Sequence, residues 1–328
     1  MKEVISFLRI IRIKNLILIA VSQYLFRYYI LETPNYIYEY NLGFSLIMII
    51  TLLIAASGYI INDVIDIDSD NINKKGDIII NKYISSQAAM IWYFILNAIA
   101  VICILYFFYL FKNYLLTIIF ILSILLLFYY SKKYQYNFIT GNLIVASLTS
   151  LSFINIFLFD TQINMSTQHI EILHIVIPTK NLLVTIYCIL AFIVTFLREI
   201  IKDIEDIEGD KIHNPNNLGY SLSLRTSKSI CRSLNISLLL IIILITSGIA
   251  IILSPFSFNQ DMNFCYLINI ITIGYSISLL IMIYYPIKLL EQANHHYEFR
   301  KISAFYKIIM MMGLLSIPLS HYFTYYCL

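Results

Sequence analysis

The sequence has little charge for its length. Asp, Glu, Lys and Arg together make up 12% of its 328 residues, whereas hydrophobic residues make up 60%. A soluble domain is usually about 25% charged, so a chain this apolar does not fit that class. The composition is typical of a polytopic membrane protein.

The sequence also lacks most of the common catalytic and metal-binding motifs. Its five cysteines have no paired spacing, which argues against a disulfide framework or a zinc site. The six histidines form no HExxH pattern, and glycine-rich phosphate loops and nucleophile elbows are absent. A net charge of only +3 gives no reason to expect a nucleic-acid partner.

Long apolar runs dominate what is present. A helix needs about 20 mostly apolar residues to cross the hydrocarbon core of a bilayer. Nine runs approach that length, which predicts an all-α integral membrane protein in which residues 1–328 form a single domain. The predicted spans cover residues 15–31, 42–61, 88–110, 114–130, 141–159, 181–197, 233–253, 266–287 and 304–325.

The basic residues predict how these spans are oriented. With nine spans, all but three of the 22 Lys and Arg fall on the side that holds the N-terminus. The exceptions are Arg27, Lys112 and Lys180. By the positive-inside rule the rich side is cytoplasmic, so we expect a multi-pass protein of the cell membrane whose first helix is retained.

Two acidic clusters stand out against this apolar background. The first consists of Asp63, Asp66 and Asp70, and the second repeats its spacing 140 positions later with Asp203, Asp206 and Asp210. In a helix, positions i, i+3 and i+7 fall within roughly 60° of arc, so each trio shares one face. Like charges at that spacing repel, and each costs on the order of 2.5–3.5 kcal/mol near hydrocarbon. Divalent cations are the simplest compensation.

Both clusters follow even-numbered spans, so both lie at the same membrane face. Hard carboxylate oxygens suit Mg²⁺, which is commonly shared with substrate phosphates. Two such clusters could hold a diphosphate between them and neutralise it as a leaving group. The pattern predicts electrophilic chemistry on an allylic diphosphate, in a cavity that excludes water.

The wording of both clusters is similar to a known family. Residues Asn62 to Asp70, NDVIDIDSD, resemble the NDxxDxxxD signature of the UbiA superfamily of intramembrane prenyltransferases. Residues Arg198 to Asp210, REIIKDIEDIEGD, resemble that family's DxxDxxxD motif. Further similarities are Arg12, Asn15, Asn73-Lys74, Tyr130-Ser131 and Gly141-Asn142.

The resemblance implies nine helices around a central cavity that takes an Mg²⁺-bound polyprenyl diphosphate and a lipophilic acceptor. It implies metal binding by both aspartate trios and catalytic roles for Asp63, Asp66, Asp203 and Asp206. The implied substrate-binding residues are Asn62, Arg12, Asn15, Lys74, Lys132, Lys133, Arg198 and Lys202. The second motif is most similar to the branch that transfers a geranylgeranyl group to geranylgeranylglyceryl phosphate. Asp68, Glu205 and Glu208 lie off these faces and are expected to be solvated.

The sequence departs from the family pattern in three places. Asn73-Lys74-Lys75-Gly76-Asp77 stands where the family commonly has Asn-Lys-Pro-x-Arg, so an acid replaces an expected arginine. Gln135 stands where a lysine is usual, and Asn217-Leu218-Gly219 replaces a Thr-Leu-Pro stretch. The metal-binding residues themselves are intact.

Other interpretations remain open from the sequence alone. The acceptor could instead be an aromatic quinone precursor. An ion-coupled transporter is a second alternative, because intramembrane acids often line ion pathways. Residues 66–77 also imitate a calcium loop, but Asn71 occupies the glycine position and Asp77 the usual glutamate position.

Overall fold

Hydropathy and structure agree on where the membrane segments lie. The computed structural model describes residues 2–31, 38–73, 79–163, 169–172, 175–210, 224–253, 262–293 and 295–327. The helices are α1 (Lys2–Ile10), α2 (Ile13–Leu25), α3 (Tyr38–Ile65), α4 (Ile67–Asn73), α5 (Ser86–Phe111), α6 (Tyr114–Lys132), α7 (Phe138–Ile163), α8 (Thr179–Asp210), α9 (Leu224–Leu253), α10 (Met262–Gln292) and α11 (His296–Cys327).

Within the described ranges, eight of these helices are long and apolar enough to cross a membrane, namely α3 and α5 to α11. The first predicted span corresponds to α2, which runs on without a break into a π-helical segment, Phe26–Leu31. All nine predicted spans therefore coincide with helical segments. The helical fold and the multi-pass membrane character are confirmed.

One short sheet interrupts the helical pattern. Strands β1 (His169–Ile172) and β2 (Ile175–Pro178) form an antiparallel hairpin between α7 and α8, with His169 opposite Pro178. The hydropathy pattern did not indicate these strands. Their role in the chain is to join the end of α7 to the start of α8.

Successive membrane helices alternate in direction, which sorts the residues to two ends of the bundle. We call the end where α3 and α8 finish the motif end, and the end where they begin the far end. The motif end also holds the start of α2, the end of α6 and the starts of α7 and α11. Both acidic motifs therefore lie at one end, as predicted.

Aromatic side chains fill the core between α3, α5 and α7. The Phe159 ring lies with its centroid 5.7 Å from Phe107 and 5.0 Å from Phe111. Gly43 on α3 makes room for it, because a Cβ there would lie 2.0 Å from Phe159 Cζ. The close approach of α3 and α7 thus depends on a small residue, as is common between membrane helices.

Polar side chains also join the helices inside the bundle. Tyr306 on α11 donates a 2.7 Å hydrogen bond to Asn235 Oδ1 on α9, and both residues are buried. Ser150 Oγ on α7 donates to the Cys188 carbonyl on α8 at 2.7 Å. Such bonds satisfy groups that could not remain unpaired in hydrocarbon.

Candidate active site

A cavity of about 800 Å³ runs through the bundle between α2, α3 and α6 to α11. Most of its wall is apolar, with side chains such as Leu127, Leu148, Phe153 and Leu190. Polar and charged side chains gather at the motif end of the cavity. Five cations and one carboxylate line it there: Arg12, Lys14, Arg198, Lys202, Lys307 and Glu199. This end of the cavity suits an anionic head and the rest suits an apolar tail.

The first acidic cluster sits where α3 passes into α4. Asp66 separates α3 from α4, but the helical hydrogen-bond pattern continues through it. Asp66 N–H donates to Asn62 O at 2.9 Å, and Asp70 N–H donates to Asp66 O at 2.8 Å. The acids therefore keep the shared helical face that their spacing predicts. Asn62 Nδ2 donates to Asp66 Oδ2 at 2.6 Å, which fixes the orientation of that carboxylate.

Arg12 connects this cluster to the cavity. Its guanidinium donates to Asp63 Oδ1 at 2.7 Å and lies 4.8 Å from the centre of the Tyr59 ring. Arg12 stands between α1 and α2 with a φ of 51°, an unusual backbone conformation for a residue with a side chain. Burial alone lowers the pKa of Arg12, but Asp63, Tyr59 and Glu199 together outweigh that effect and raise it. The guanidinium therefore remains charged.

The second cluster lies on the last turns of α8. Asn142 on α7 donates its side-chain amide to Asp203 Oδ2 at 2.7 Å. Lys202 Nζ lies 3.9 Å from Asp206 Oδ2, one helical turn along α8. Asp210 is the last residue of α8, and its side chain lies outside the described part of the molecule.

The two clusters are neighbours because α4 packs against α8. A short connection between α6 and α7 reaches both of them. Gln135, in the 3₁₀ turn Tyr134–Tyr136, donates to Asp66 Oδ1 at 2.8 Å, and Asn142 follows a few residues later. Tyr130 at the end of α6 lies within electrostatic reach of Asp66 and Asp203. The connection and the start of α7 thus donate a hydrogen bond to one carboxylate of each motif.

Gly141 makes this connection possible. A Cβ at Gly141 would lie 2.6 Å from the carbonyl oxygen of Tyr134, which belongs to the backbone and cannot rotate away. Only glycine allows α7 to start so close to the 3₁₀ turn. The position of Gln135 and Asn142, and through them of Asp66 and Asp203, depends on this close approach.

The carboxylates are suitable ligands for Mg²⁺, but they do not form a finished metal site by themselves. Across the described residues, no three Asp, Glu, His or Cys side chains converge as a ready-made cation cage. Asp63, Asp66 and Asp203 each accept a hydrogen bond from a neighbouring arginine or amide instead. Hard oxygen donors on two adjacent elements fit a metal that shares its coordination shell with substrate phosphates.

The remaining predicted residues divide into two groups. Asn15, Asn62, Arg198 and Lys202 line the cavity, as expected for substrate-binding residues. Lys132 and Lys133 are exposed and lie beside aromatic rings, Phe128 and Tyr134, and neither belongs to the cavity wall. Lys74, Lys75 and Asp77 lie outside the described residues.

Family models agree with this architecture. The model of the UbiA prenyltransferase family matches residues 24–306, a stretch that contains both acidic motifs. The chain belongs to the UbiA prenyltransferase family. The family resemblance and the assignment as an enzyme are thereby confirmed, and a transporter is not supported.

Several relatives of this UbiA prenyltransferase carry a more specific name. It is 31% identical to the digeranylgeranylglyceryl phosphate synthase of Saccharolobus solfataricus over 313 residues, 94% of this chain and 95% of the relative. It is 29% identical to that of Methanocaldococcus jannaschii over 322 residues, 96% of each chain. A solved structure of a digeranylgeranylglyceryl phosphate synthase has a TM-score of 0.59 at 24% identity, covering 99% of this chain and all of the other, which supports the fold.

Sequence reasoning missed or undervalued several residues of this UbiA site. Gln135 was noted only as a departure, yet it bonds to Asp66. Glu199 and Lys307 line the cavity but were not among the predicted site residues. Lys307 lies inside the ninth predicted span, and an ionisable residue within a span is itself a signal of function.

Proposed function

We propose that this prenyltransferase transfers a geranylgeranyl group from its diphosphate to geranylgeranylglyceryl phosphate, with Mg²⁺ as the cofactor. The observation that carries the proposal is the motif end of the cavity, where two aspartate clusters meet a group of cations above a long apolar space. The names of the relatives support the choice of acceptor.

The first aspartate cluster is assigned to the donor. Asp63, Asp66 and Asp70 would hold one metal–diphosphate unit, with Asn62 orienting Asp66 through its 2.6 Å hydrogen bond. Arg12 is charged and lies between Asp63 and the cavity, so it can donate to a diphosphate oxygen. The metal supplies charge neutralisation of the leaving group when it is bound.

The second cluster is assigned to the other side of the same diphosphate. Asp203, Asp206 and Asp210 would hold the second metal, and Asn142 keeps the Asp203 carboxylate in position. Because α4 packs against α8, the two clusters can act on one ligand. Asn15 and Lys202, which line the cavity, are assigned to substrate binding. Lys132 and Lys133 are assigned to attracting the anionic substrates from outside the cavity, and Lys74 is assigned to substrate binding on the family resemblance alone.

The transfer itself is a substitution at the first carbon of the prenyl group. The bond between that carbon and the diphosphate oxygen breaks, and its electron pair leaves with the diphosphate. The free hydroxyl oxygen of the glycerol forms the new ether bond, and its proton goes to the released diphosphate. The apolar wall of the cavity keeps out water, which would otherwise capture the electrophilic carbon.

The charge balance of the cavity favours an acceptor with its own phosphate. Five cations and one carboxylate line the cavity at the motif end, and of these cations Arg12 and Lys202 lie beside Asp63 and Asp206 of the two clusters. A diphosphate that arrives with metal ions brings its own compensation. A second, metal-free anion would use the remaining cations.

We also propose that residues 1–328 act as one domain in the cell membrane, with the motif end facing the cytoplasm. The excess of Lys and Arg on that side supports the orientation. The polar heads of both substrates, at the cytoplasmic face, and their lipid tails, in the bilayer, could then reach the same cavity.

The test is transfer by the purified, detergent-solubilised protein. Labelled geranylgeranyl diphosphate is offered with and without Mg²⁺, and with either geranylgeranylglyceryl phosphate or an aromatic hydroxy acid as acceptor. We expect Mg²⁺-dependent product with the glyceryl phosphate. Product only with the aromatic acid, or equal rates without Mg²⁺ in the presence of a chelator, would contradict the proposal.

A further inference from the structure

Lys307 on α11 lies in a group of cations. It lines the cavity, and its main charged neighbours are the cations Arg198, Arg12 and Lys202, with Glu199 as a weaker opposite charge. The carboxylates near it already have other cationic partners, since Glu199 pairs with Arg198 and Glu205 lies 3.9 Å from Arg300. Like charges gathered in a cavity repel each other, so this arrangement favours a bound anion.

Arg198 supplies a second, independent observation. One end of its guanidinium pairs with Glu199, but its Nε is buried and has no hydrogen-bond partner. An unpaired buried donor is rare in folded proteins, and it is costly unless a ligand or water satisfies it. The neighbouring cations are already engaged, since Arg12 pairs with Asp63 and Lys202 lies near Asp206.

The position of this pair distinguishes it from the diphosphate site. Arg198 precedes Asp203 by five residues on α8, which corresponds to about 7.5 Å of helix rise away from the aspartates. A diphosphate held by the aspartates through metal ions leaves Lys307 and Arg198 available. The acceptor's phosphate brings no metal, so fixed cations must balance it.

We infer that Lys307 and Arg198 form the subsite for the phosphate of the acceptor lipid, so that this pair selects a phosphate-bearing acceptor. The inference rests on the proposed function and adds a residue to it. Lys307 positions the acceptor from α11, opposite the Arg198 guanidinium on α8, while the glycerol hydroxyl faces the donor.

The test compares Lys307→Gln, Lys307→Arg and the control Lys301→Gln. Lys301 is an exposed lysine on the same helix beside the Tyr297 ring. Each variant is assayed with geranylgeranylglyceryl phosphate and with geranylgeranylglycerol, which lacks the phosphate. We expect Lys307→Gln to raise the acceptor KM by about tenfold to a hundredfold, the value of a charge-assisted hydrogen bond. The donor KM and both Lys301→Gln values should stay unchanged, and Lys307→Arg should restore most of the affinity.

The decisive readout is the preference for the phosphate. Wild-type protein should favour the phosphorylated acceptor, and Lys307→Gln should lose most of that preference, which a purely structural role would not change. An unchanged preference, or a rise in the donor KM instead, would overturn the inference. If Lys307→Gln does not fold, Arg198→Lys serves in its place, because it keeps the charge and removes the unpaired Nε donor.

A binding measurement separates this inference from the proposed function. Thermal stabilisation by geranylgeranylglyceryl phosphate is recorded without donor or metal. If wild-type protein makes no product but is stabilised by this lipid, and Lys307→Gln is not, the proposed transfer is wrong while the phosphate subsite stands. Equal stabilisation of wild type and Lys307→Gln would contradict the subsite even if transfer occurs.

Discussion

Charged side chains have different surroundings at the two ends of the bundle. At the far end, Asp160 is 1% exposed and its carboxylate lies 2.5 Å from Lys180 Nζ. Arg27 is also buried there, bonds to Asn41 and lies over the rings of Tyr40 and Phe44. At the motif end, by contrast, the cations line an open cavity. Arg12, Arg198 and Lys202 lie beside carboxylates there but still border the cavity.

The difference separates structural charges from functional ones. Arg27 and Lys180 are two of the three basic residues that the sequence assigns to the far side, and each has neighbours that compensate its charge. Asp160 is near both of them. Its ion pair with Lys180 connects α7 to the start of α8, and it also lies within electrostatic reach of Arg27. Charges paired away from the cavity stabilise the bundle, whereas charges that line the cavity remain accessible to a ligand.

The largest effect is expected from Asp203→Asn, which changes the motif end alone. The amide keeps the shape of the side chain but removes the negative charge on which metal binding depends. We expect kcat to fall by about 10²–10³, the usual result of removing one electrostatic group from an active site. The thermal unfolding temperature should stay close to that of the wild type, and a wild-type rate would remove Asp203 from the site.

Asp160→Asn, at the far end, should lower stability and leave turnover nearly unchanged. Removing one member of a buried ion pair leaves Lys180 without its partner, which costs about 3 kcal/mol of stability. We expect a lower unfolding temperature in detergent, with near-normal turnover by the protein that remains folded.

The double variant Asp160→Asn/Lys180→Met supplies the control for that prediction. It should recover part of the lost stability, because the orphaned charge is gone. Loss of turnover in fully folded Asp160→Asn protein would show that the far end takes part in the reaction, and that its charges are not purely structural.

Gly141→Ala should have an intermediate effect on the motif end. The added methyl would meet the Tyr134 carbonyl oxygen at 2.6 Å, so the start of α7 must move. We expect about 1–3 kcal/mol of destabilisation and a roughly tenfold loss of turnover as Gln135 and Asn142 shift from their acids. Gly274→Ala on α10 is the matched control, since nothing lies within 4 Å of its new Cβ.

The smallest effect is expected from Asp68→Ala. Asp68 lies beside the first cluster in sequence, but its side chain is exposed and off the shared face. Transfer rate and stability should both stay near wild type, with a change in stability within about 0.5 kcal/mol. A large loss of activity would mean that proximity to the motif matters more than the helical face.

The sequence predicted the parts of this site that depend on local pattern. Hydropathy located the spans, and the i, i+3, i+7 spacing placed Asp63, Asp66 and Asp70 on one face. The contacts from Gln135 to Asp66 and from Asn142 to Asp203 join residues 69 and 61 positions apart. No local periodicity encodes such contacts, because they depend on how α6 and α7 pack against the other helices.

Lys307 shows the same limit in another form. In the sequence, Lys307 served only as one more basic residue that indicated the orientation of the spans. Its position near Arg198 depends on the packing of α11 against α8. The hairpin of β1 and β2 was also not predicted. It lies next to apolar runs whose edges hydropathy defines poorly.

Both aspartate clusters are proposed to hold the metal ions of one bound diphosphate, and the amount of bound Mn²⁺ measures this directly. Mn²⁺ replaces Mg²⁺ in oxygen-ligand sites and is counted by its paramagnetic resonance signal. With a thiolodiphosphate analogue of geranylgeranyl diphosphate present, wild-type protein should bind Mn²⁺, and Asp63→Asn and Asp203→Asn should each lose most of it. Undiminished Mn²⁺ binding in both variants would show that neither aspartate cluster holds the metal ions.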